Sequence, residues 1–117
     1  MLKYRVWKYE KQAAKLMTPE EQAVAEASVV AAPEYWPIVP ETGGARKARI
    51  PLEGRGKRGG GRVIYFWQSR AGKIFFIMVY AKGQQEDLSH GDKKAIAKTV
   101  AAIKAQEDTE RSYPIRH

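Results

Sequence analysis

The sequence predicts an α+β domain in which a small antiparallel sheet of three to four strands packs with two N-terminal helices and one C-terminal helix. Strand-like apolar runs occur once near the N-terminus and three times in succession in the middle of the chain. Helix-capping signals lie on both sides of these central runs. The resulting order, β-α-α-β-β-β-α, keeps the helices apart from consecutive hairpins, which is typical of α+β folds. With 117 residues, we expect one domain over residues 1–117 with a single compact core.

The N-terminal part of the chain contains one predicted strand and two predicted helices. LKYRVW alternates apolar and basic residues as a half-buried strand does, and KYEKQAAKLM indicates a short helix. Thr18 can cap the next helix, Pro19 fits its first position, and Glu21 completes a capping box. This helix is expected to run to about Ala32 and to end before Pro33.

The central and C-terminal parts supply the sheet and the last helix. The loop PEYWPIVPETGG is followed by three predicted strands, Ala45–Leu52, Gly61–Ser69 and Lys73–Ala81. Ser89 and Asp92 form a second capping box before the helix KKAIAKTVAAIKA, in which Ile96, Val100 and Ile103 fall on one face. Residues 107–117 are predicted to be a polar tail.

The charge of the chain points to an anionic partner. The net charge is +8 and the isoelectric point is near 9.8. Nucleic acid, an anionic membrane and an acidic protein are the candidates. Basic amphipathic helices, the usual membrane signature, are not prominent. From Arg46 to Arg62 the predicted strand–loop–strand segment instead carries seven Lys or Arg residues against one acid, Glu53. This concentration favours nucleic acid.

Several other classes of protein are disfavoured. The chain has no cysteine, which excludes a disulfide framework and a thiolate metal site. The longest apolar run, Ile74–Ala81, is too short to span a membrane. The N-terminus lacks the apolar centre of a signal peptide, so we expect a cytoplasmic protein that does not associate with membranes.

Two apparent motifs have simpler explanations. GRGKRG (Gly54–Gly59) matches the letters of a dinucleotide fingerprint, but a strand follows it where the fingerprint requires a helix. EDLSHGD clusters acids around His90, yet helix capping accounts for the same residues. The chain has two histidines, His90 and His117, which give little basis for a histidine metal site or a catalytic triad. We therefore expect no metal and no cofactor.

A group of lysines and arginines can still support catalysis on a phosphate. Fixed cations stabilise the negative charge that develops on a phosphorane-like transition state. Crowding by like charges lowers the pKa of a lysine toward a value useful for proton transfer. Such a group could cleave RNA without a metal, because the 2′-hydroxyl of the RNA can be held in line with the scissile phosphate as the nucleophile.

The spacing of the cations predicts a shared surface. Lys47 and Arg49 are two residues apart, so they project from one face of their strand. Arg62 follows the hairpin loop and can lie across from that strand, and Lys82 closes the adjacent strand. The alternative is that each cation simply points to solvent, and this alternative stays open above all for the loop residues Arg55, Lys57 and Arg58.

The same residues resemble a known family. IVPETGGARKARIPLEGRGKRGGGRVIYFW, followed by IFFIMVYAKGQQEDLS, is similar to the RelE/HigB branch of the RelE/ParE superfamily of bacterial type II toxins. The resemblance extends from Ile38 to about Ile103, and over the first 37 residues only the order of elements matches. One departure is Glu41, where the family usually has glycine, and this could alter the backbone of the loop.

The resemblance implies a ribosome-dependent mRNA interferase that works without a metal and inhibits translation. Position by position, it assigns catalytic roles to Lys47, Arg49, Arg62 and Lys82. In the RelE type a tyrosine near the start of the last helix assists catalysis, but this sequence has none there. Tyr80 is the substitute, although an aromatic ring packed on the sheet explains it equally well. The further residues expected to contact RNA are Arg46, Arg55, Lys57 and Arg58.

The implied partners are a cognate antitoxin, messenger RNA on the ribosome and 16S rRNA. The antitoxin is expected to be HigA-like, with a helix-turn-helix domain through which the complex reaches operator DNA. Two alternatives remain open. A ParE-like toxin would share the fold but poison DNA gyrase without RNase activity, and a non-catalytic module would bind RNA or the ribosome without cleaving it.

Overall fold

The computed structural model describes residues 1–53, 59–85 and 87–112, with side chains described up to residue 107. The strands pair in the order β1-β4-β3-β2. β2 and β3 are antiparallel, as are β3 and β4, whereas β1 runs parallel to β4. The elements, in chain order, are β1 (Leu2–Arg5), α1 (Trp7–Leu16), α2 (Pro19–Ala31), β2 (Arg46–Ile50), β3 (Gly61–Gln68), β4 (Lys73–Ala81) and α3 (His90–Ser112).

The predicted α+β class and element order are therefore confirmed, with a correction to the sheet. The sheet is mixed rather than wholly antiparallel, because β1 joins its edge in parallel with β4. A parallel neighbour needs a long connection. The chain supplies one, since α1, α2 and two further strands separate β1 from β4 in sequence.

Both predicted capping boxes are present. The Thr18 hydroxyl accepts a hydrogen bond from the Glu21 amide at 3.1 Å, and the Glu21 carboxylate accepts one from the Thr18 amide at 2.9 Å. Ser89 and Asp92 exchange the equivalent pair at 3.0 and 3.1 Å. These reciprocal bonds satisfy amides that have no partner within the helix, which explains why α2 and α3 begin where they do.

The C-terminal helix is longer than predicted. α3 continues to Ser112, so residues 107–112, which the sequence assigned to a polar tail, belong to the helix, and residues 113–117 lie outside the described part. QEDTERS contains neither glycine nor proline, and polar residues do not by themselves end a helix. The Gln68 amide also donates to the Glu107 carboxylate at 3.2 Å, which attaches this last part of α3 to the sheet.

The helices cover both faces of the sheet. α1 and α2 pack on one face, where the buried residues include Tyr9, Val29 and Phe76. α3 packs on the other face through Ile96 and Val100. Consecutive strand residues point to opposite faces, so each central strand contributes to both cores. Within the described residues, no helix combines the length and apolar character needed to cross a membrane.

A buried carboxylate connects β1, α1 and α2. Glu26 is 1% exposed and accepts two hydrogen bonds from Arg5, at 2.9 and 2.7 Å, and one from the Tyr9 hydroxyl at 2.9 Å. Gln22 donates at 3.0 Å, and the Lys3 ammonium lies 3.5 Å away. Burial raises the pKa of Glu26, but hydrogen bonds from Arg5, Gln22 and Tyr9 outweigh it and hold the pKa below the ordinary value of 4.5.

The loop before β2 has a strained residue at the position where the resemblance departs from the family. Glu41 has a φ of 69°, in the left-handed region that suits glycine. A side chain in this conformation costs roughly 1–2 kcal/mol. The loop is tied down around it, because Thr42 is buried and bonded to Val39 and Ala45, and Lys104 of α3 donates to the Gly43 carbonyl.

Candidate functional site

Strand register brings three of the predicted site residues into one row across the sheet. Arg49 of β2 lies opposite Arg62 of β3, and Arg62 lies opposite Tyr80 of β4. Lys47 is two residue pairs further along, opposite Ile64. The predicted pairing of Arg62 across from the RKAR strand is confirmed. Directly opposed residues in an antiparallel sheet have Cβ atoms about 4.5–5.5 Å apart.

These residues project from the face of the sheet on which α3 packs. Ala48 and Ile50, which alternate with the cations of β2, are buried in the core beneath α1 and α2. Tyr80 and Ile64 belong instead to the core beneath α3. Lys47, Arg49 and Arg62 therefore share one face, and we call these three residues the cationic patch.

Arg62 is the member of the cationic patch whose guanidinium is held by backbone carbonyls. One terminal nitrogen of its guanidinium donates to the carbonyls of Gly59 and Gly61, both at 3.1 Å. Among the described residues, these bonds engage one of its three nitrogens and leave the others for a ligand. An arginine has five N–H donors in a planar fork that matches the oxygens of a phosphate. Carbonyls of the preceding turn therefore fix the guanidinium in place while part of the fork stays available as far as the described residues show.

Lys82 lies at the border of the cationic patch. Its amide donates to the Gly60 carbonyl at 3.0 Å, which continues the β3–β4 ladder one residue beyond β4. Its aliphatic chain runs past Gly59, where a side chain would approach the Lys82 Cγ within 3.3 Å. Lys82 is thus held beside the same glycine-rich turn that binds the Arg62 guanidinium.

Asp87 is a neighbour of the cationic patch that our sequence interpretation missed. Its carboxylate lies 3.4 Å from the Lys47 ammonium, and its side chain is 69% exposed. A hydrogen bond from the Leu88 amide, followed by the charge of Lys47, lowers the pKa of Asp87. The sequence shows that Asp87 begins the DLS segment that caps α3. It does not show that this segment lies against β2.

Tyr80 lies in the core. It is 5% exposed, and its hydroxyl has no hydrogen-bond partner among the described residues. Burial raises the pKa of Tyr80, Asp87 raises it further, and Arg62 partly opposes them. The side chain is therefore a neutral phenol near the patch but beneath its surface. This placement favours the packing interpretation over a direct catalytic role.

Arg46 does not lie with the cationic patch. It pairs with Tyr65, which packs beneath α1 and α2, and its guanidinium donates to the carbonyls of Trp36 at 2.7 Å and Glu34 at 3.1 Å. Arg46 thus holds the segment after α2, which is a structural role that sequence spacing did not reveal. The other predicted RNA-contacting residues, Arg55, Lys57 and Arg58, lie outside the described residues.

A comparison with known families identifies the chain. The family model for the RelE toxin of the RelE/RelB toxin–antitoxin system matches residues 40–112, which is more than half of the chain. The chain belongs to this family. It is the toxin of a toxin–antitoxin system, and a cognate antitoxin is its implied partner. The matched range of this RelE-family toxin contains β2, β3, β4 and α3, and hence the whole cationic patch.

Proposed function

We propose that this RelE-family toxin is a metal-independent endoribonuclease that cleaves messenger RNA on the ribosome and so inhibits translation. The observation that carries the proposal is the cationic patch. Lys47, Arg49 and Arg62 converge on one sheet face, and Asp87, the acid that contacts Lys47, is exposed. Like charges held together destabilise a fold unless something compensates them. An RNA phosphate would provide that compensation.

The proposed reaction uses the RNA itself as nucleophile. The 2′-oxygen attacks the adjacent phosphorus and loses its proton to a basic group, while the bond from phosphorus to the 5′-oxygen breaks and that oxygen gains a proton. The products are a 2′,3′-cyclic phosphate on the upstream fragment and a 5′-hydroxyl on the downstream fragment. The protein has to align the attack and stabilise the charge that develops on the phosphate.

The patch residues are suited to different parts of this task. Arg62 would stabilise the charge in the transition state, because the carbonyls of Gly59 and Gly61 already fix its guanidinium. Lys47, Arg49 and Lys82 would position the phosphate or transfer protons. Tyr80 would support the surface from below. The basic loop residues Arg55, Lys57 and Arg58 would contact neighbouring phosphates, and Arg46 would not take part.

The remaining partners follow from this activity. The toxin would meet its substrate in the cytoplasm, in the ribosomal decoding site, where 16S rRNA offers further phosphates to its basic surface. We infer that the antitoxin is HigA-like, with a helix-turn-helix domain, and that the toxin reaches operator DNA only through it.

The proposal is tested by incubating the purified toxin with ribosomes that are translating a defined messenger RNA. We expect cleavage of the message in the ribosome, a 2′,3′-cyclic phosphate on the upstream fragment, and no cleavage of the same message without ribosomes. A matched message with a single 2′-deoxynucleotide at the mapped position should resist cleavage there.

Three outcomes would contradict the proposal in different ways. Cleavage of the 2′-deoxy message would reject the mechanism of 2′-hydroxyl attack. An intact message together with trapped gyrase–DNA complexes would support a ParE-like toxin. Binding to ribosomes without cleavage or gyrase trapping would support a non-catalytic module.

A further inference from the structure

The turn between α2 and β2 presents an aromatic ring to solvent. Tyr35 is 73% exposed, more than any other large apolar side chain among the described residues. Its ring meets the neighbouring Trp36 ring edge to face, with centroids 4.9 Å apart, and Trp36 packs in turn against the core beneath α1 and α2. Ile38, three residues further on, is also exposed. Scattered apolar residues need no explanation, but a group of them in one turn indicates a contact surface.

The backbone that carries Tyr35 is firmly held. The Arg46 guanidinium donates to the carbonyls on either side of Tyr35, at 3.1 Å for Glu34 and 2.7 Å for Trp36. The Tyr35 amide donates to the Ala32 carbonyl at 3.1 Å. A tyrosine ring on a fixed backbone loses little conformational entropy when it binds, since its side chain has two torsions. Tyr35 is therefore preorganised for a contact.

This turn lies next to the cationic patch. The Lys47 amide donates to the Pro37 carbonyl at 3.1 Å, and Ile38 forms an isolated bridge with Arg46. The segment that follows Tyr35 therefore runs along the outer side of β2, at the edge of the sheet. Two residues of chain span at most about 7 Å, so the backbone of Tyr35 lies within that distance of Pro37. An RNA strand with a phosphate at Lys47 would pass close to the ring where it crosses this edge.

The turn offers a ring to a partner but little free backbone. The Pro33 carbonyl accepts a hydrogen bond from the Tyr65 hydroxyl at 2.7 Å. The carbonyls of Glu34, Trp36 and Pro37 are likewise bonded within the fold. An added peptide strand would need such groups free. A nucleobase needs none of them, because it binds an aromatic side chain through the faces of the two rings, and the adjacent cationic patch suits the phosphates that a nucleic acid carries.

We propose that Tyr35 stacks on an unpaired base of the RNA strand whose phosphate lies on the cationic patch. This contact rests on the proposed function and adds to it, because it gives the RNA a second point of attachment at the edge of β2. A ring stacks on any base that reaches it, so Tyr35 would fix the position of the strand and would not select a base by hydrogen bonding. Tyr35 is thus a positioning residue that acts on binding and does not touch the reacting atoms.

The test measures binding of the purified toxin to a short, labelled single-stranded RNA by fluorescence anisotropy. Tyr35→Ala should raise the Kd at least about fivefold, which is the lower end of the loss expected when a stacking ring is removed. Tyr35→Phe keeps the ring and should restore the affinity. Trp7→Ala is the matched control, because Trp7 is 72% exposed and follows β1 at the opposite edge of the sheet, and its Kd should stay within about twofold of the original.

A second ligand separates contact with a base from contact with a phosphate. It is an oligomer of the same length that has the ribose–phosphate backbone but no bases. Tyr35→Ala and the original protein should bind it with the same Kd, because no base is left to stack. On the normal RNA, the fall of affinity with salt should also be the same for both proteins, since stacking releases no counterions.

Three results would overturn the proposal. One is an unchanged RNA affinity in a Tyr35→Ala variant that thermal unfolding shows to be folded. Another is an equal loss on both oligomers, which would mean that Tyr35 supports the position of Lys47. The third is a loss of antitoxin binding without a loss of RNA binding, which would assign the ring to a protein contact. Failure of the proposed function looks different, because base-dependent binding through Tyr35 without cleavage on ribosomes would reject the nuclease and leave the stacking contact in place.

Discussion

Two groups of basic residues lie on opposite faces of the same sheet, and they differ in what neutralises them. On the α1/α2 face, Arg5 and Lys3 surround the buried carboxylate of Glu26. On the α3 face, one member of the cationic patch, Lys47, contacts the exposed carboxylate of Asp87. The first group is compensated within the fold. Among the described residues, the second is compensated by one ion pair at its solvent-exposed margin.

This difference separates a structural use of charge from a functional one. Removing one partner of a buried, hydrogen-bonded charge leaves the others without compensation, so such a group is needed for stability. An exposed pair such as Lys47–Asp87 contributes little, since water and salt screen it. Within the described part of the chain, the cationic patch therefore holds charge that is largely unpaired with acids, which is the property expected of a phosphate-binding surface.

The largest expected effect is on the cationic patch. Arg62→Ala should lower the rate of messenger RNA cleavage on the order of 100- to 1000-fold, because it removes a preorganised donor to the developing charge. Stability and antitoxin binding should change little. Arg62→Lys should restore only part of the rate, since a point charge does not replace the planar fork. Single-turnover assays measure the cleavage rate, and urea unfolding measures the stability. A normal cleavage rate in Arg62→Ala would contradict the proposed role of Arg62.

The next effect belongs to the opposite face. Glu26→Gln should lower the free energy of unfolding by about 2–3 kcal/mol, because hydrogen bonds to a charged group are replaced by weaker ones to a neutral amide. Cleavage per folded molecule should stay the same. Glu20→Gln on the same helix is the control and should be nearly neutral, since Glu20 is exposed. A Glu26→Gln variant that is stable but cleaves poorly would contradict the assignment of a structural role to the charges on the α1/α2 face and a functional role to those on the α3 face.

The contribution of Glu26 to the free energy of unfolding should depend on pH. The pKa of Glu26 in the folded protein is below its ordinary value of 4.5, so its ionised form stabilises the fold above that pH. This contribution is lost as the pH falls through the lower, folded-state pKa. The gap in unfolding free energy between the original protein and Glu26→Gln should accordingly be full at neutral pH and shrink in acid. Urea titrations across the acid range would show it, and a constant gap would contradict the lowered pKa.

The smallest effect concerns Asp87. Asp87→Asn removes the acid beside Lys47, so RNA should bind more tightly, by up to about fivefold at low salt. The gain should fade at high salt, where exposed charges are screened. Fluorescence anisotropy with a short single-stranded RNA at two salt concentrations would measure it. Weaker binding in the variant would mean that Asp87 orients Lys47 rather than competing with the RNA.

The sequence by itself determined the order of the elements and the candidate cations. Capping boxes at Thr18 and Ser89 and the apolar runs of the strands are local signals, and local bonding decides where helices and strands begin. The alternation of a strand was enough to place Lys47 and Arg49 on one face. The glycine-rich basic segment was enough to indicate the family that the comparison established.

Only the tertiary structure decided which charges meet. It placed Asp87 against Lys47, forty residues away in sequence, and turned Arg46 toward the carbonyls of the segment after α2. It buried Tyr80, added β1 in parallel at the sheet edge, and held Glu41 in a left-handed conformation between anchored neighbours. These features depend on packing between segments distant in sequence, and residue spacing along the chain does not contain that information.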